Sequence, residues 1–229
     1  MLKIKKTVLP SPGQWEIVIE GMRNPLNSWD RIDSYITHIE DPQTLETADY
    51  QFVLGEADET LMKKLAGAGS VHSKYRRMLP VWVTLTAPIY FLKQLDTYRI
   101  GVVSNSCSTM HKITEKQFTQ EDFSCEHLFD DVEGFDTEDW YYNTLLGVIV
   151  TLNTARESYL ATKEKRYWWQ IIQLLPSSYN QKRTLMLNYE VLAAIYRDRK
   201  NHKLDEWHTF CDWIESLPHS DIIIGEVSE

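Results

Sequence analysis

The 229-residue sequence predicts an α+β fold, laid out as one domain over 1–229 with a largely helical C-terminal half. Three observations lead there. The two clearly alternating, strand-like runs lie before residue 90. From residue 140 onward, apolar residues recur three and four positions apart, as on helices. Neither GxGxxG nor GxxxxGK[ST] is present, so Rossmann and P-loop architectures have no motif support.

In chain order, 14–21 (QWEIVIEG) alternates Trp15, Ile17 and Ile19 against Glu16, Val18 and Glu20 and is expected to be a strand. MRNPL then turns the chain, and 27–39 (NSWDRIDSYITHI) sets Trp29, Ile32, Tyr35 and Ile36 at helical spacing behind an Asn/Ser cap. EADETLMKKLAGAG (56–69) reads as a helix with an acidic first turn and a glycine stop. RMLPVWVTLTA (77–87) reads as a strand. PIYFLKQLDTYRIG (88–101) reads as a helix from Pro88 to Gly101, with Ile89, Leu92, Leu95 and Tyr98 on one face.

Residues 121–139 hold nine acids and no Lys or Arg, and are expected to be a solvated acidic loop. They lack the ordered alternation of an EF-hand. Tyr141, Leu145, Val148, Leu152, Ala155 and Tyr159 then form a sustained apolar seam, for core packing or for an oligomer interface. EKRYWWQIIQLLP (164–176), KRTLMLNYEVLAAIYRDRK (182–200) and LDEWHTFCDWIESLP (204–218) are expected to be three further helices.

The bulk numbers exclude some roles. The net charge of −9 argues against coating nucleic acid, which needs a basic face. A small anionic ligand stays open, because a few clustered cations suffice to hold one. Cys107, Cys125 and Cys211 have neither disulfide nor metal spacing, so a reducing, cytoplasmic setting is expected. The basic N-terminus lacks an apolar core, so no signal peptide is expected, and no apolar run is long enough to span a membrane. No HxH or HxxxH occurs among the seven histidines, so no metal site is expected.

The densest polar chemistry lies in 95–112, LDTYRIGVVSNSCSTMHK. Ser106, Cys107, Ser108 and His111 lie close in sequence, but no GxSxG elbow supports a hydrolase, and Cys107 reads as a small packing residue. Arg99 with Thr97, Ser104, Asn105, Ser106, Ser108 and Thr109 suits an anion pocket, and Asn188, Arg197, Arg199 and His202 form a second polar group further on. The other reading is a polar surface whose arginines make ordinary ion pairs. Both stay open on these residues alone.

The order of segments resembles the flavin-dependent thymidylate synthases. That family carries an Ala-Pro-Ile lead-in with Arg-Gln, then Arg-His-Arg, a Ser, Asn-Glu and Ser-x-Arg-Tyr. Here Ala87, Pro88, Ile89 and Gln94 match the lead-in, and Arg99 matches the second arginine. With one residue inserted, Asn105 and Ser108 match the Asn and second Ser. Upstream, LMKKLAGAGSVHSKYRRM retains His72, and EIVIEGMRNP resembles the opening strand and turn. Downstream, Asn188 and Arg199 match the Asn-x-Arg and Leu-Arg-x-x-x-His blocks, with His202 one position displaced. The departures are Thr97 and Tyr98 for Arg-His, Ser106 for Glu, and Met110 and His111 for Arg-Tyr. Met78 stands for a flavin-side His and Glu190 for a later Arg. Arg76, Arg77, Lys93 and Lys112 are cations available to compensate.

The resemblance implies a mixed sheet, a homotetramer, and reductive methylation of a dUMP-like pyrimidine deoxynucleotide. FAD would be the cofactor, with NADPH and methylene-tetrahydrofolate as co-substrates. It implies Arg199 as the catalytic residue, and Gln94, Arg99, Asn105, Ser106 and Ser108 toward the substrate. His72, Arg76, Asn188 and His202 fall toward the cofactor. Non-catalytic nucleotide binding on the same scaffold, or a purely structural oligomer, remain the alternatives.

Overall fold

The computed structural model describes residues 1–39, 49–128 and 140–225. The elements begin with β1 (Lys3–Val8), α1 (Pro12–Arg23), β2 (Tyr35–Ile39), β3 (Asp49–Val53) and α2 (Glu56–Gly67). They continue with β4 (Pro80–Pro88), α3 (Ile89–Leu95), β5 (Val103–Ser106), α4 (Trp140–Thr162) and α5 (Lys165–Leu174). The chain then forms β6 (Asn180–Asn188), α6 (Tyr189–Arg199), α7 (Asp205–Glu215) and α8 (Asp221–Ile224). Strands β1, β4, β6 and β5 form one sheet in that order, and β2 and β3 pair antiparallel in register from Tyr35–Val53 to Ile39–Asp49. The α+β class expected from the sequence is the one observed.

The contacts cluster into two compact units. The first comprises Met1–Lys5, Thr84–Thr97 and Asn105–Thr184. Its core is Ile113, Phe118, Phe123, Leu145, Ile149, Leu152, Ala155 and Ile171, so most of the expected α4 seam does face the interior. Polar side chains of α4 hold the preceding loop. The Asn153 amide both donates to the Phe118 carbonyl and accepts from its N–H, each at 2.9 Å, and Arg156 Nε donates to the Thr114 carbonyl at 2.9 Å. Ile89 N–H donates to Tyr179 O, and Thr84 and Thr184 hydroxyls meet at 2.9 Å. Of the acidic stretch 121–139, residues 129–139 lie outside the described residues.

The second unit comprises Lys6–Val83, Tyr98–Ser104 and Leu185–Glu229. Here the sequence reading needs three corrections. Residues 14–21 are helical: Trp15, Val18, Ile19 and Met22 are the buried apolar positions, at spacings of three and four. Ser11 and Gln14 close a capping box and Pro12 takes the first turn, which starts the helix where alternation suggested a strand. Residues 27–39 form a short 3-10 turn followed by β2. Asp33 and Ser34 are drawn into hydrogen bonds with α2: Asp33 accepts from the Ala57 and Asp58 N–H groups, and the Ser34 N–H and hydroxyl donate to Asp58. The third correction runs through both units: residues 180–188 are strand, and the helix begins only at Tyr189. Leu185 and Leu187 are buried on alternate positions of that strand, and Tyr189 N–H donates to Leu79 O.

The helix expected to run to Gly101 stops at Leu95. Thr97 turns back, its hydroxyl and N–H both donating to the Gln94 carbonyl. Gly101 still has a demanding place, at φ +79, where a Cβ would stand 2.9 Å from Asn188 Nδ2.

Candidate functional site

In the second unit, the sequence-predicted Arg199 sits near the end of α6 in an aromatic bracket. Its guanidinium carbon lies 4.9 Å from the Trp207 ring centre and 5.6 Å from that of Tyr98. Its Nε donates to the Tyr98 hydroxyl at 3.0 Å, and that hydroxyl in turn donates to Asp198 at 3.4 Å. Burial raises the Tyr98 pKa, opposed by Arg199, so the phenol keeps its proton at neutral pH. Trp207 is fully buried and cannot yield. The two rings and the Nε hydrogen bond position the guanidinium, and its Nη atoms make no hydrogen bond among the described residues.

His202 follows one turn later. Its Nδ1 accepts the Leu204 N–H at 3.1 Å, and its ring meets Trp207 edge-on. Burial, then the charge of Arg199, lowers its pKa, so the imidazole is neutral at pH 7 and carries its hydrogen on Nε2 as a donor.

Asn188 caps α6, its Oδ1 accepting the Val191 N–H at 3.0 Å. Replacing Asn188 by Ala is expected to cost about 1 kcal/mol of stability, read as a shift of the urea midpoint. Arg76 has a side chain only 9% exposed and faces Glu190 at 3.7 Å, while Ser73 donates to the same carboxylate oxygen at 3.0 Å. Its Nε is buried without a hydrogen-bond partner. Glu190 cancels much of the charge at this point, so Arg76 offers a donor rather than a net cation. His72 lies exposed on the turn before it.

Arg99 also belongs to this unit and is exposed, while Gln94, Asn105, Ser106 and Ser108 belong to the first. Asn105 and Ser106 end the exposed strand β5. The Ser108 oxygen accepts the N–H groups of Met110 and His111 at 3.3 and 2.9 Å, which folds the loop and leaves the hydroxyl hydrogen to donate. A relay braces this loop from beneath. Asp96 pairs with Arg183 at 2.5 Å, Arg183 Nε donates to Gln181, and Gln181 donates to the Cys107 carbonyl at 2.9 Å. The Cys107 side chain is exposed, so the expected packing role falls to its backbone instead.

Beyond Ser108, Met110 and His111 enter a depression of about 330 Å³ with Thr114, Tyr159, Lys163, Lys165 and Trp168. Trp168 Nε1 donates to the Met110 carbonyl at 3.1 Å and ties the loop to α5. Lys163 and Lys165 were missed from sequence. The signal was the basic run TKEKR at the turn between two apolar helices, which marks where cations gather but not what they face. Among the described residues, no group of three His, Cys, Asp or Glu side chains is placed to hold a metal ion, and no helix is long and apolar enough to cross a membrane.

No protein-family profile matches the sequence, and no curated protein matches it. Solved structures do match. Thymidylate synthase X from Helicobacter pylori, with FAD and dUMP, superposes at a TM-score of 0.60 and 15% identity, covering 98% of this chain and 96% of that one. A second structure of the flavin-dependent thymidylate synthase from that organism, also with FAD and dUMP, gives 0.58 and 15%, with coverage of 98% and 97%. The UMP/dUMP methylase PolB from Streptomyces cacaoi, bound with 5-Br dUMP, gives 0.57 and 14%, with coverage of 96% and 92%. Over almost its whole length, the chain therefore has the fold of the flavin-dependent thymidylate synthases.

Proposed function

We propose that this chain is a divergent flavin-dependent thymidylate synthase-like protein that binds a pyrimidine deoxynucleotide of the dUMP type and uses FAD for its reductive methylation. The observation that carries this reading is the fold, shared over 98% of the chain with proteins crystallised with both ligands. Arg199 acts as the catalytic residue. C5 of a pyrimidine becomes a better nucleophile when N3 loses its proton to solvent and the ring carries negative charge on its carbonyl oxygens, and a cation positioned by Tyr98 and Trp207 stabilises that anion without reorganising. Gln94, Arg99, Asn105, Ser106 and Ser108 bind the nucleotide, and Lys163 and Lys165 stand in for the motif arginine whose place Met110 takes.

The residues read toward the cofactor fit the ring of a flavin better than its pyrophosphate. The unpaired, buried Nε–H of Arg76 suits a ring carbonyl, His202 Nε2 adds a neutral donor, and His72 adds a further imidazole. Asn188 supports them by holding α6 in place. When bound, FAD would supply hydride transfer between NADPH and the one-carbon unit of methylene-tetrahydrofolate. Assembly into a homotetramer is part of the proposal, supported by Trp140, Leu146, Val150 and Leu160 left exposed along α4.

The test is a visible spectrum of the purified protein after incubation with FAD and removal of the excess. Retained flavin whose reduced form is reoxidised in a dUMP-dependent way is the expected result. A protein that stays colourless while its melting temperature rises with dUMP would overturn the flavin part, and no response to either ligand would overturn the whole reading.

A further inference from the structure

The second unit carries a separate cavity whose lining has the opposite charge. Helix α1 has two faces. Trp15, Val18, Ile19 and Met22 enter the core. On the other face Gly13, Glu16, Ile17 and Glu20 follow one another at spacings of one helical turn or less, with Asn24 just past the helix end. That face lines a cavity of about 550 Å³, within the usual size for small-molecule sites, and Trp29, Tyr35 and Phe52 form its aromatic side. Trp29 is held in place by its indole N–H, which donates to Asn24 at 2.7 Å.

Two features call for a ligand of one kind. The apolar lining is left open: Ile17 is 55% exposed, Trp29 48% and Tyr35 57%. The two carboxylates stand one turn apart, where like charges repel, and among the described residues no Lys or Arg lines the cavity. Among the described residues neither Glu16 nor Glu20 has an ion-pair partner.

We propose that the α1 face bearing Glu16 and Glu20, together with Trp29 and Tyr35, binds an organic cation: an ammonium or guanidinium group carried on an aromatic or aliphatic body. The carboxylates neutralise the charge, and the electron-rich ring faces attract it while covering the apolar body. Nucleotides and flavins, being anionic, are repelled here, so this site is independent of the function proposed above.

The experiment is calorimetric titration of the full chain with phenethylammonium, with phenylacetate and benzyl alcohol as charge-reversed and neutral comparators. Saturable binding of phenethylammonium alone is expected, weakening as salt is raised. The double variant Glu16→Gln, Glu20→Gln is expected to weaken it about tenfold, and Trp29→Leu about fivefold. Both glutamates are exposed and Gln is a comparable helix former, so the fold is retained, as a thermal midpoint would check. Should the double variant fail to fold, the comparator series on the unaltered protein and Trp29→Leu still decide. Absence of saturable heat, equally tight binding of the alcohol or the acid, or affinity indifferent to the substitutions would each overturn the proposal.

Discussion

Asp58→Ala is expected to destabilise the protein by about 3–5 kcal/mol, the usual cost of breaking a buried ion pair from one side. Asp58 is fully buried, and its Oδ1 accepts from Arg23 Nε at 2.5 Å, with the Arg23 side chain only 4% exposed. Its Oδ2 accepts from the Asp33 and Ser34 N–H groups and the Ser34 hydroxyl, at 3.1, 2.9 and 2.7 Å. One carboxylate thus ties α1, the turn after it and α2 together. Removing it orphans three donors and a guanidinium that already has one unpaired buried nitrogen. Burial pushes the Asp58 pKa up, but the bonds from the Ser34 hydroxyl, Arg23 and the two backbone N–H groups outweigh it, so the net shift is downward. A depressed carboxylate contributes its full stability above the unfolded pKa, near 4, and loses it as pH falls through the lower folded value. Acid should therefore weaken the parent protein in that window and leave Asp58→Ala comparatively unmoved. Chemical denaturation across pH measures both effects. The pair change Arg23→Met, Asp58→Leu is expected to recover little, because the Ser34 and Asp33 donors remain unsatisfied. A loss under about 1 kcal/mol for Asp58→Ala would show that water replaces the network.

That network also marks the boundary of what was legible in the sequence. Local periodicity gave α2, β4, α4, α5 and α7 correctly, because each carries its signal within a few turns. It failed at α1, where Trp15, Ile17 and Ile19 happen to alternate within a helix whose buried apolar set is Trp15, Val18, Ile19 and Met22. The capping box Ser11–Gln14 was present in the letters and was the better guide. It failed again at β6, where LMLN runs straight into a helix and only the pairing of Tyr189 with Leu79 reveals the break. Among the residues proposed for function, Asn188, Arg199 and the polar run 104–111 were visible by type and order. Their supports were not. Asp96 and Arg183 are 87 positions apart, and the Arg199 bracket joins residues from 98, 199 and 207. Contacts at such separations leave no periodic trace. Residue type alone also could not say that Glu190 faces Arg76.

Arg199→Ala is expected to weaken dUMP binding roughly 10- to 150-fold, the worth of one charge-assisted hydrogen bond to a buried partner. Adding Arg99→Ala should deepen the loss by roughly another tenfold, less than the first because Arg99 is exposed to solvent. The bracket makes the chemical form of the cation matter. Lysine carries the charge but has no Nε–H to donate to the Tyr98 hydroxyl and no planar edge to present, so Arg199→Lys is expected to resemble alanine. Tyr98→Phe keeps the ring and removes only the hydroxyl that accepts Arg199 Nε, so its loss should be several-fold and no more. Trp207 is unsuitable for the same test, since its full burial would turn truncation into a folding defect of about 3–5 kcal/mol. Calorimetry with dUMP on the folded variants distinguishes the outcomes. The ordering Tyr98→Phe, then Arg199→Lys with Arg199→Ala, then the double change is what a positioned guanidinium requires. Lysine restoring affinity would mean that only charge is needed and that the aromatic bracket serves stability. Undiminished affinity in the double variant would remove both arginines from the nucleotide site and return Arg199 to the role of a stacked, structural side chain.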